Sequence, residues 1–339
     1  MLRLKNIELV KEKIQGSAPQ KIVITTHHKP DGDALGSSLG LYHYLIQYGH
    51  QVQVISPTDY PYNLAWMPAN DTVWEFEKTE NKSREAIANA DLIFCLDFNR
   101  LNRINQMEPL VKESKALKIL VDHHLEPENF EDITFADTSA VATAELIYTF
   151  ITHIGDEQKI NIESAKCLYT GILTDSGSFR FNSTTPTVHI IASKLIALGV
   201  KPLDIFELIY DDNTENRMRF IGYCMNKKMV MLPEYNAAYI SVTRDELKEY
   251  KITTGDTEGL VNYPLSIKGI KLVALIIDRT ERVKLSLRSK GDIAVNELCS
   301  QYFNGGGHKN ASGGHSNGTL DETVQTFLQM LAENKNKLN

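Results

Sequence analysis

Short runs that are apolar at nearly every position alternate with amphipathic stretches through the first half of the chain. Ile22-Val23-Ile24-Thr25, Leu92-Ile93-Phe94-Cys95-Leu96 and Lys118-Ile119-Leu120-Val121 are such runs. A strand apolar on both faces, not on alternate residues, belongs to a parallel sheet covered on each side. The pattern predicts strands over 21–26, 51–55, 91–96 and 116–121. Helices are predicted over 35–48, stopped by Gly49, and over 83–89, 139–153 and 163–173, with a short helical stretch before the fourth strand. Such βαβ alternation makes the first half an α/β domain. Helical segments over 187–198 and 203–210 read as a connector. Beyond them, strands near 237–241, 271–278 and 282–288 mix with helices near 244–250, 293–302 and 321–335, the pattern of a smaller α+β domain. The expected limits are 1–190 for the first domain, 191–215 for a helical linker and 216–339 for the second domain.

Composition changes this picture little. Hydrophobic residues make up 42% and charged residues 23%, the values of ordinary globular domains. No apolar run approaches the roughly 18 residues of a membrane span, and Glu8 and Lys11 interrupt the region where a secretion signal would be apolar. The expectation is a cytoplasmic protein with no membrane partner. Cys95, Cys167, Cys224 and Cys299 lack metal-finger spacing and read as small buried hydrophobes. A net charge of −7 argues against a broad track for long duplex nucleic acid, though a few local cations suffice for a small phosphorylated substrate.

Candidate chemistry collects where the apolar runs end. The first leads into His27-His28-Lys29-Pro30-Asp31-Gly32-Asp33, the second into Asp97, and the third into Asp122-His123-His124. A fourth, Thr170-Gly171-Ile172-Leu173-Thr174, leads into Asp175-Ser176-Gly177. Taken singly, each has a bland explanation: exposed loop histidines, an Asp-Gly-Asp turn, helix N-caps. Together they place five carboxylates and several imidazoles at element ends, where an open parallel sheet gathers its ligands. Carboxylates packed so closely repel one another unless cations intervene. Asp31, Asp33, Asp97 and Asp175 carry four negative charges, which match two divalent ions. Oxygen and imidazole donors without thiolate suit Mn²⁺, with Mg²⁺ or Co²⁺ as alternatives. Two such ions about 3.5–4 Å apart are the arrangement used for in-line phosphoryl displacement.

These four segments resemble the motifs of the DHH phosphoesterase superfamily, and Gly305-Gly306-Gly307-His308-Lys309-Asn310-Ala311-Ser312-Gly313-Gly314 resembles the signature of its DHH-associated domain. Within it the chain is most similar to the oligoribonuclease and pAp-phosphatase branch, often called nano-RNases. The resemblance implies an N-terminal parallel-sheet DHH domain, a smaller α+β DHH-associated domain and an active site in the cleft between them. It implies that His27, with His28 as the alternative, and Asp31 bind one cation, that Asp97 bridges, and that Asp33, His123 and Asp175 complete the second. His124 would face the phosphate as proton donor or cation, with Asp122 orienting an imidazole. A homodimer is a further implication.

In the second half, Gly305-Gly306-Gly307 is a run that neither helix nor strand would ordinarily choose, and its N–H groups can form a phosphate-binding nest, with His308 adding cationic reach. Arg288 resembles the arginine these enzymes use for a terminal nucleotide. Arg180, just after the fourth metal motif, is a candidate phosphate contact, while Phe179 and Phe181 read as core packing. The expected activity is hydrolysis of RNA oligonucleotides of about 2–5 nucleotides to nucleoside 5′-monophosphates, with removal of the 3′-phosphate of pAp. The alternatives are hydrolysis of linear dinucleotides derived from cyclic-dinucleotide signals, an exopolyphosphatase, and a non-catalytic nucleotide sensor.

Overall fold

The apolar runs become strands because both of their faces are covered. Ile22 and Ile24 pack into one core and Val23 into another; Leu92, Phe94 and Leu96 divide from Ile93 and Cys95 in the same way. The structure, a computed structural model, describes residues 3–16, 18–279 and 282–338, so Met1, Leu2 and Asn339, inside the expected domain limits, lie outside the described residues. The chain divides into two units, Met1–Asp212 and Asn213–Asn339.

The first unit is built on strands β1 (Arg3–Lys5), β2 (Lys21–Thr25), β3 (Gln51–Ser56), β4 (Trp74–Glu75), β5 (Leu92–Leu96), β6 (Leu117–Asp122) and β7 (Ile133–Ala136). They form one seven-stranded sheet in the order β1-β7-β6-β5-β2-β3-β4. Every neighbouring pair is parallel except β1 with β7. Strands β1, β4 and β7 were not among the expected elements; β4 has two residues and β7 only four residues of buried-to-half-buried alternation, short signals to read from sequence. Helices α1 (Ile7–Gln15), α2 (Gly32–Leu45), α3 (Phe76–Ala88), α4 (Glu108–Glu113), α5 (Thr143–His153), α6 (Ile162–Asp175), α7 (Pro186–Ala197) and α8 (Pro202–Phe206) complete the unit. Strand order reverses between β2 and β5: β3 and β4 lie to one side of β2, whereas β5, β6 and β7 lie to the other. The carboxyl ends of β2 and β5 therefore flank the crevice where this architecture binds ligands.

Helix α2 begins three residues earlier than its apolar periodicity indicated, because the Asp31 side chain caps it by accepting from the N–H groups of Asp33 and Ala34. At its other end a short 3₁₀ turn, Ile46–Tyr48, carries the chain into Gly49 at φ +76°. Glycines at positions 32, 36 and 40 line the face of α2 that meets α6. A Cβ at Gly36 would lie 2.5 Å from the Cys167 carbonyl oxygen and 2.9 Å from the Gly171 nitrogen. At Gly40 it would meet Leu168 at 2.5 Å, and at Gly32 the Thr174 side chain at 2.6 Å. The two helices thus touch nearly backbone to backbone.

The segment 191–215, expected as a connector, instead contributes to the first unit's core, where Ile191, Ala192, Leu195, Val200, Ile205 and Ile209 are buried; the unit boundary falls between Asp212 and Asn213. All four cysteines are buried and unbridged.

The second unit contains α9 (Glu215–Tyr223), β8 (Met229–Leu232), β9 (Ala237–Val242), α10 (Arg244–Glu249), α11 (Asn262–Leu265), β10 (Leu272–Asp278), β11 (Val283–Ser289), α12 (Val295–Tyr302), β12 (Gly306–His308), β13 (Ala311–Ser316), α13 (Leu320–Glu333) and α14 (Lys335–Leu338). Its mixed six-stranded sheet runs β12-β13-β11-β10-β9-β8. The glycine run corrects one expectation: Gly306–His308 is an edge strand, paired Gly306↔Gly313, Gly307↔Ser312 and His308↔Ala311. Close approach explains the choice of residue. A Cβ at Gly305 would fall 2.2 Å from the Gly313 carbonyl oxygen, and Gly307 adopts φ +139° with the Ala311 carbonyl oxygen 2.7 Å from where its Cβ would be.

Gly36→Ala should destabilise the protein by about 1–3 kcal/mol in chemical unfolding, because backbone atoms cannot yield to the added methyl. Gly222→Ala, in α9 with open space around it, should instead be neutral or stabilise by about 0.5–1 kcal/mol. Glu246 closes a capping box with Thr243 and accepts from the Tyr223 hydroxyl at 2.5 Å and Lys228 at 2.9 Å. Burial pushes its carboxyl up, but these donors outweigh burial and hold it at about 2, below the ordinary 4.5. A depressed carboxyl contributes stability above its unfolded value and loses it as pH falls. Glu246→Gln should therefore cost about 1 kcal/mol near neutrality, and its deficit relative to wild type should shrink between pH 4.5 and about 2.

Candidate metal centre

Four chain ends converge at the reversal in strand order. The loop after β2 carries His27 and, at the start of α2, Asp31 and Asp33; Asp97 follows β5; Asp122 ends β6 and leads into His123 and His124; Asp175 is the last residue of α6. His27, Asp31 and Asp97 each offer one ligand atom within 4.8 Å of the others. Asp33, His123 and Asp175 form a second such group, and Asp97, Asp122 and His124 a third. Of the adjacent histidines, His27 turns inward: its ring is buried with Nε2 3.4 Å from Asp97 Oδ2. His28 is exposed, and its Nδ1 lies 2.9 Å from the Arg103 carbonyl oxygen.

Backbone carbonyls set the orientation of the inward imidazoles. His27 Nδ1 lies 2.8 Å from the His28 carbonyl oxygen, and His123 Nδ1 lies 3.2 Å from that of Ala140. A carbonyl only accepts, so each Nδ1 carries the proton and each Nε2 faces the acids. His123 Nε2 is 3.4 Å from Asp97 Oδ1, 3.5 Å from Asp175 Oδ2 and 3.9 Å from Asp33 Oδ2. These separations are long for hydrogen bonds. They suit donors around a shared cation, which lie roughly 3–3.5 Å apart when each bond is near 2.1 Å.

The acids are held by structure that the motifs do not advertise. Asp33 accepts from the N–H groups of Thr143 at 2.6 Å and Ala144 at 2.8 Å, the first residues of α5. A helix N-terminus favours a carboxylate there. The Thr143 hydroxyl donates to Asp97 Oδ1 at 2.9 Å. Asp97 itself sits at φ +63°, a left-handed conformation that costs a non-glycine residue about 1–3 kcal/mol and turns its carboxylate back into the cluster. Gly171 gives Asp33 its room, since a Cβ there would lie 2.7 Å from Asp33 Oδ1 and 2.6 Å from Ala144 Cβ. Thr143 and Gly171 were missed in the sequence; the threonine opening α5 and the glycine inside α6 were the available signals.

The electrostatics call for positive charge. Burial, then Asp97 and Asp175, push the Asp33 carboxyl well above its ordinary value. Burial and the neighbouring acids Asp31 and Asp97 lift Asp175 to about 7 although its side chain keeps 30% of its surface open. Asp97 moves the other way: burial opposes ionisation, but the imidazoles of His123 and His27 hold it well below the usual range. Against burial, the acids raise His27 and His123. Among the described residues no lysine or arginine forms an ion pair with Asp31, Asp33, Asp97, Asp122 or Asp175. The donor set therefore fits divalent cations: carboxylates and correctly oriented imidazoles without a protein cation to neutralise them.

His124 stands apart. Its Nδ1 is 2.8 Å from Asp122 Oδ1, so Nε2 is the nitrogen available for other chemistry. Burial lowers its pKa despite Asp122 and Asp97. Arg180 is exposed, with Nε donating to the Gly177 carbonyl at 2.7 Å, in a turn where Gly177, Ser178 and Phe179 have φ of +56°, +60° and +62°. Phe179 stacks on His189 at 5.4 Å and packs against the core, as expected. Phe181 does not: it is 44% exposed, its ring covering Gly177. In the second unit, Arg288 is half-buried on β11 beside Val273 and Ala311, with Nη1 donating to the Leu287 carbonyl at 3.0 Å. Gly305, Gly306, Gly307 and His308 belong to the edge hairpin described above.

Residues 21–172 match the DHH family, N-terminal domain, and residues 234–337 match the DHHA1 domain. The chain belongs to the DHH family. Within it, the chain is 28% identical to the bifunctional oligoribonuclease and PAP phosphatase NrnA of Bacillus subtilis, over 86% of this chain and 88% of that protein. It is also 28% identical to the protein of the same description from Thermus thermophilus, over 92% and 89%. A solved structure from Bacteroides fragilis, described as an exopolyphosphatase-related protein, is 40% identical with a TM-score of 0.93, covering 99% of this chain and 98% of that one.

Isothermal calorimetry with Mn²⁺ should find two sites per chain in the wild type. Asp97→Ala, which removes the carboxylate lying 3.4 Å from both His27 and His123, should weaken both; Gly171→Ala should weaken the site that contains Asp33. Wild-type affinity in Asp97→Ala would show that the acids do not share cations.

Proposed function

We propose that the protein is a divalent-metal-dependent phosphodiesterase that hydrolyses RNA oligonucleotides of about 2–5 nucleotides to nucleoside 5′-monophosphates and removes the 3′-phosphate of pAp. The observation that carries this reading is the pair of ligand groups, His27-Asp31-Asp97 and Asp33-His123-Asp175, with the buried Asp97 carboxylate 3.4 Å from His27 of the first and 3.4 Å from His123 of the second. The relatives named for oligoribonuclease and PAP phosphatase activity support the substrate class. Two divalent cations, Mn²⁺ first and Mg²⁺ or Co²⁺ as alternatives, would be held by these six residues and would neutralise phosphate charge and activate a water.

The chain's own groups supply the rest. Asp122 fixes the His124 ring and steadies its charged form. Burial keeps His124 neutral before substrate arrives; a phosphate beside it brings negative charge, favours protonation, and lets Nε2 give a proton to the departing oxygen. Arg180, in the turn after Asp175, is assigned to a substrate phosphate. Arg288, with Gly305, Gly306, Gly307 and His308, is assigned to the nucleotide, the arginine by its planar fork and the hairpin by its outer-edge backbone groups. The small phosphorylated substrate accords with the net charge of −7, which disfavours long nucleic acid. No helix among the described residues is long and apolar enough to cross a membrane. Cytoplasmic residence is part of the same proposal.

A second reading, hydrolysis of polyphosphate, has the exopolyphosphatase-related structure in its favour. Incubating the Mn²⁺-loaded protein with pApA, pAp, cyclic di-AMP and polyphosphate in parallel should release AMP from pApA and phosphate from pAp; turnover of polyphosphate alone would replace the nucleotide assignment. His124→Ala should lower kcat by about 10²–10⁴-fold while Mn²⁺ content stays at the wild-type level. Equal loss of both would make His124 a metal ligand instead.

A further inference from the structure

Two arginines follow Asp97, and the structure uses them differently. Arg100 is engaged: its Nη2 lies 2.9 Å from Glu126 Oε2, and its Nε donates to the Glu126 carbonyl. Arg103 is half-buried, yet among the described residues its guanidinium has no hydrogen bond or ion pair. Its backbone is tightly placed. The Arg103 carbonyl oxygen accepts from the His28 N–H at 2.7 Å and lies 2.9 Å from His28 Nδ1. Leu101 and Ile104 on either side are buried in the core beneath the sheet. The arginine is thereby fastened to the loop that carries His27, Asp31 and Asp33. Its charge is felt on both sides of the centre, opposing protonation of His27 and of His124.

A half-buried arginine whose backbone is fixed, and whose guanidinium has no anion among the described residues, offers its fork to an anion from outside. The nearest chemistry is the phosphate that the cations and His124 are arranged to receive. We propose that Arg103 binds the scissile phosphate, its fork taking the non-bridging oxygens as their charge grows in the transition state. This rests on the phosphodiesterase reading for the identity of the reacting group, but not for the binding of phosphate itself. Arg103 was not among the residues singled out from the sequence, where it is one arginine in Asn99-Arg100-Leu101-Asn102-Arg103.

The test compares Mn²⁺-loaded wild type with Arg103→Ala, Arg103→Lys and the control Arg100→Ala. Calorimetry measures Mn²⁺ stoichiometry and the affinities for 5′-AMP, inorganic phosphate and adenosine; steady-state assays use pApA. Arg103→Ala should keep two Mn²⁺ and the wild-type unfolding midpoint. It should bind 5′-AMP and phosphate at least about tenfold more weakly, leave adenosine unchanged, and lose about 10²-fold in kcat/KM. Arg103→Lys should recover part of the phosphate affinity, and Arg100→Ala should behave as wild type. Unchanged phosphate affinity in Arg103→Ala, an equal loss for adenosine, loss of Mn²⁺, or a wild type that binds neither 5′-AMP nor phosphate would each overturn the assignment. A wild type that binds phosphate through Arg103 but leaves pApA intact would sink the phosphodiesterase reading and spare this one.

Discussion

Everything at the metal centre depends on how closely α2 and α6 approach. Their contact is made by backbone atoms because Gly32, Gly36 and Gly40 present one bare stripe, four residues apart, and Gly171 faces it from α6. The crossing sets Asp33, in the first turn of α2, against the chain that ends at Asp175. It also leaves a space that the Asp33 carboxylate fills, with α5 delivering two backbone N–H groups to it from the third side. A methyl group at Gly36 would press on the Cys167 carbonyl oxygen and the Gly171 nitrogen of α6, backbone that cannot turn aside.

The same constraint explains the electrostatics. Carboxylates forced together in a buried site either take up protons or accept cations. Here two of them are lifted by burial and mutual repulsion, while Asp97, clasped by two imidazoles, stays ionised. Each of those imidazoles has its Nδ1 proton occupied by a carbonyl, so the remaining nitrogen is turned to the acids as a donor of electrons. His124 differs from its neighbour in its Nδ1 partner, the Asp122 carboxylate, and in its pKa, which burial lowers. Two adjacent histidines thus have differently partnered Nδ1 atoms.

Legibility varied with the range of the interaction. The β2, β5 and β6 strands could be read because burial on both faces leaves uninterrupted apolar runs, and the acids after them because polar residues break those runs sharply. The glycine run after α12 was misread: a strand of glycines carries no side-chain alternation, so only its pairing with Ala311–Ser316 reveals it. The segment 191–215 reads along the chain as a connector; its buried residues, Ile191, Leu195, Ile205 and Ile209, show themselves only against the first unit's core.

What the sequence determined by itself was the alternation of strand and helix, the four places where acids and imidazoles interrupt it, and the number of charges to be balanced. These are properties of neighbours along the chain. The tertiary structure decided which histidine of the pair at 27 and 28 turns inward, that Thr143 and Ala144 hold Asp33, and that the Arg103 carbonyl is tied to the loop carrying His27. Those depend on atoms brought together from segments up to about a hundred residues apart, and no local pattern encodes them because the partners are chosen by packing.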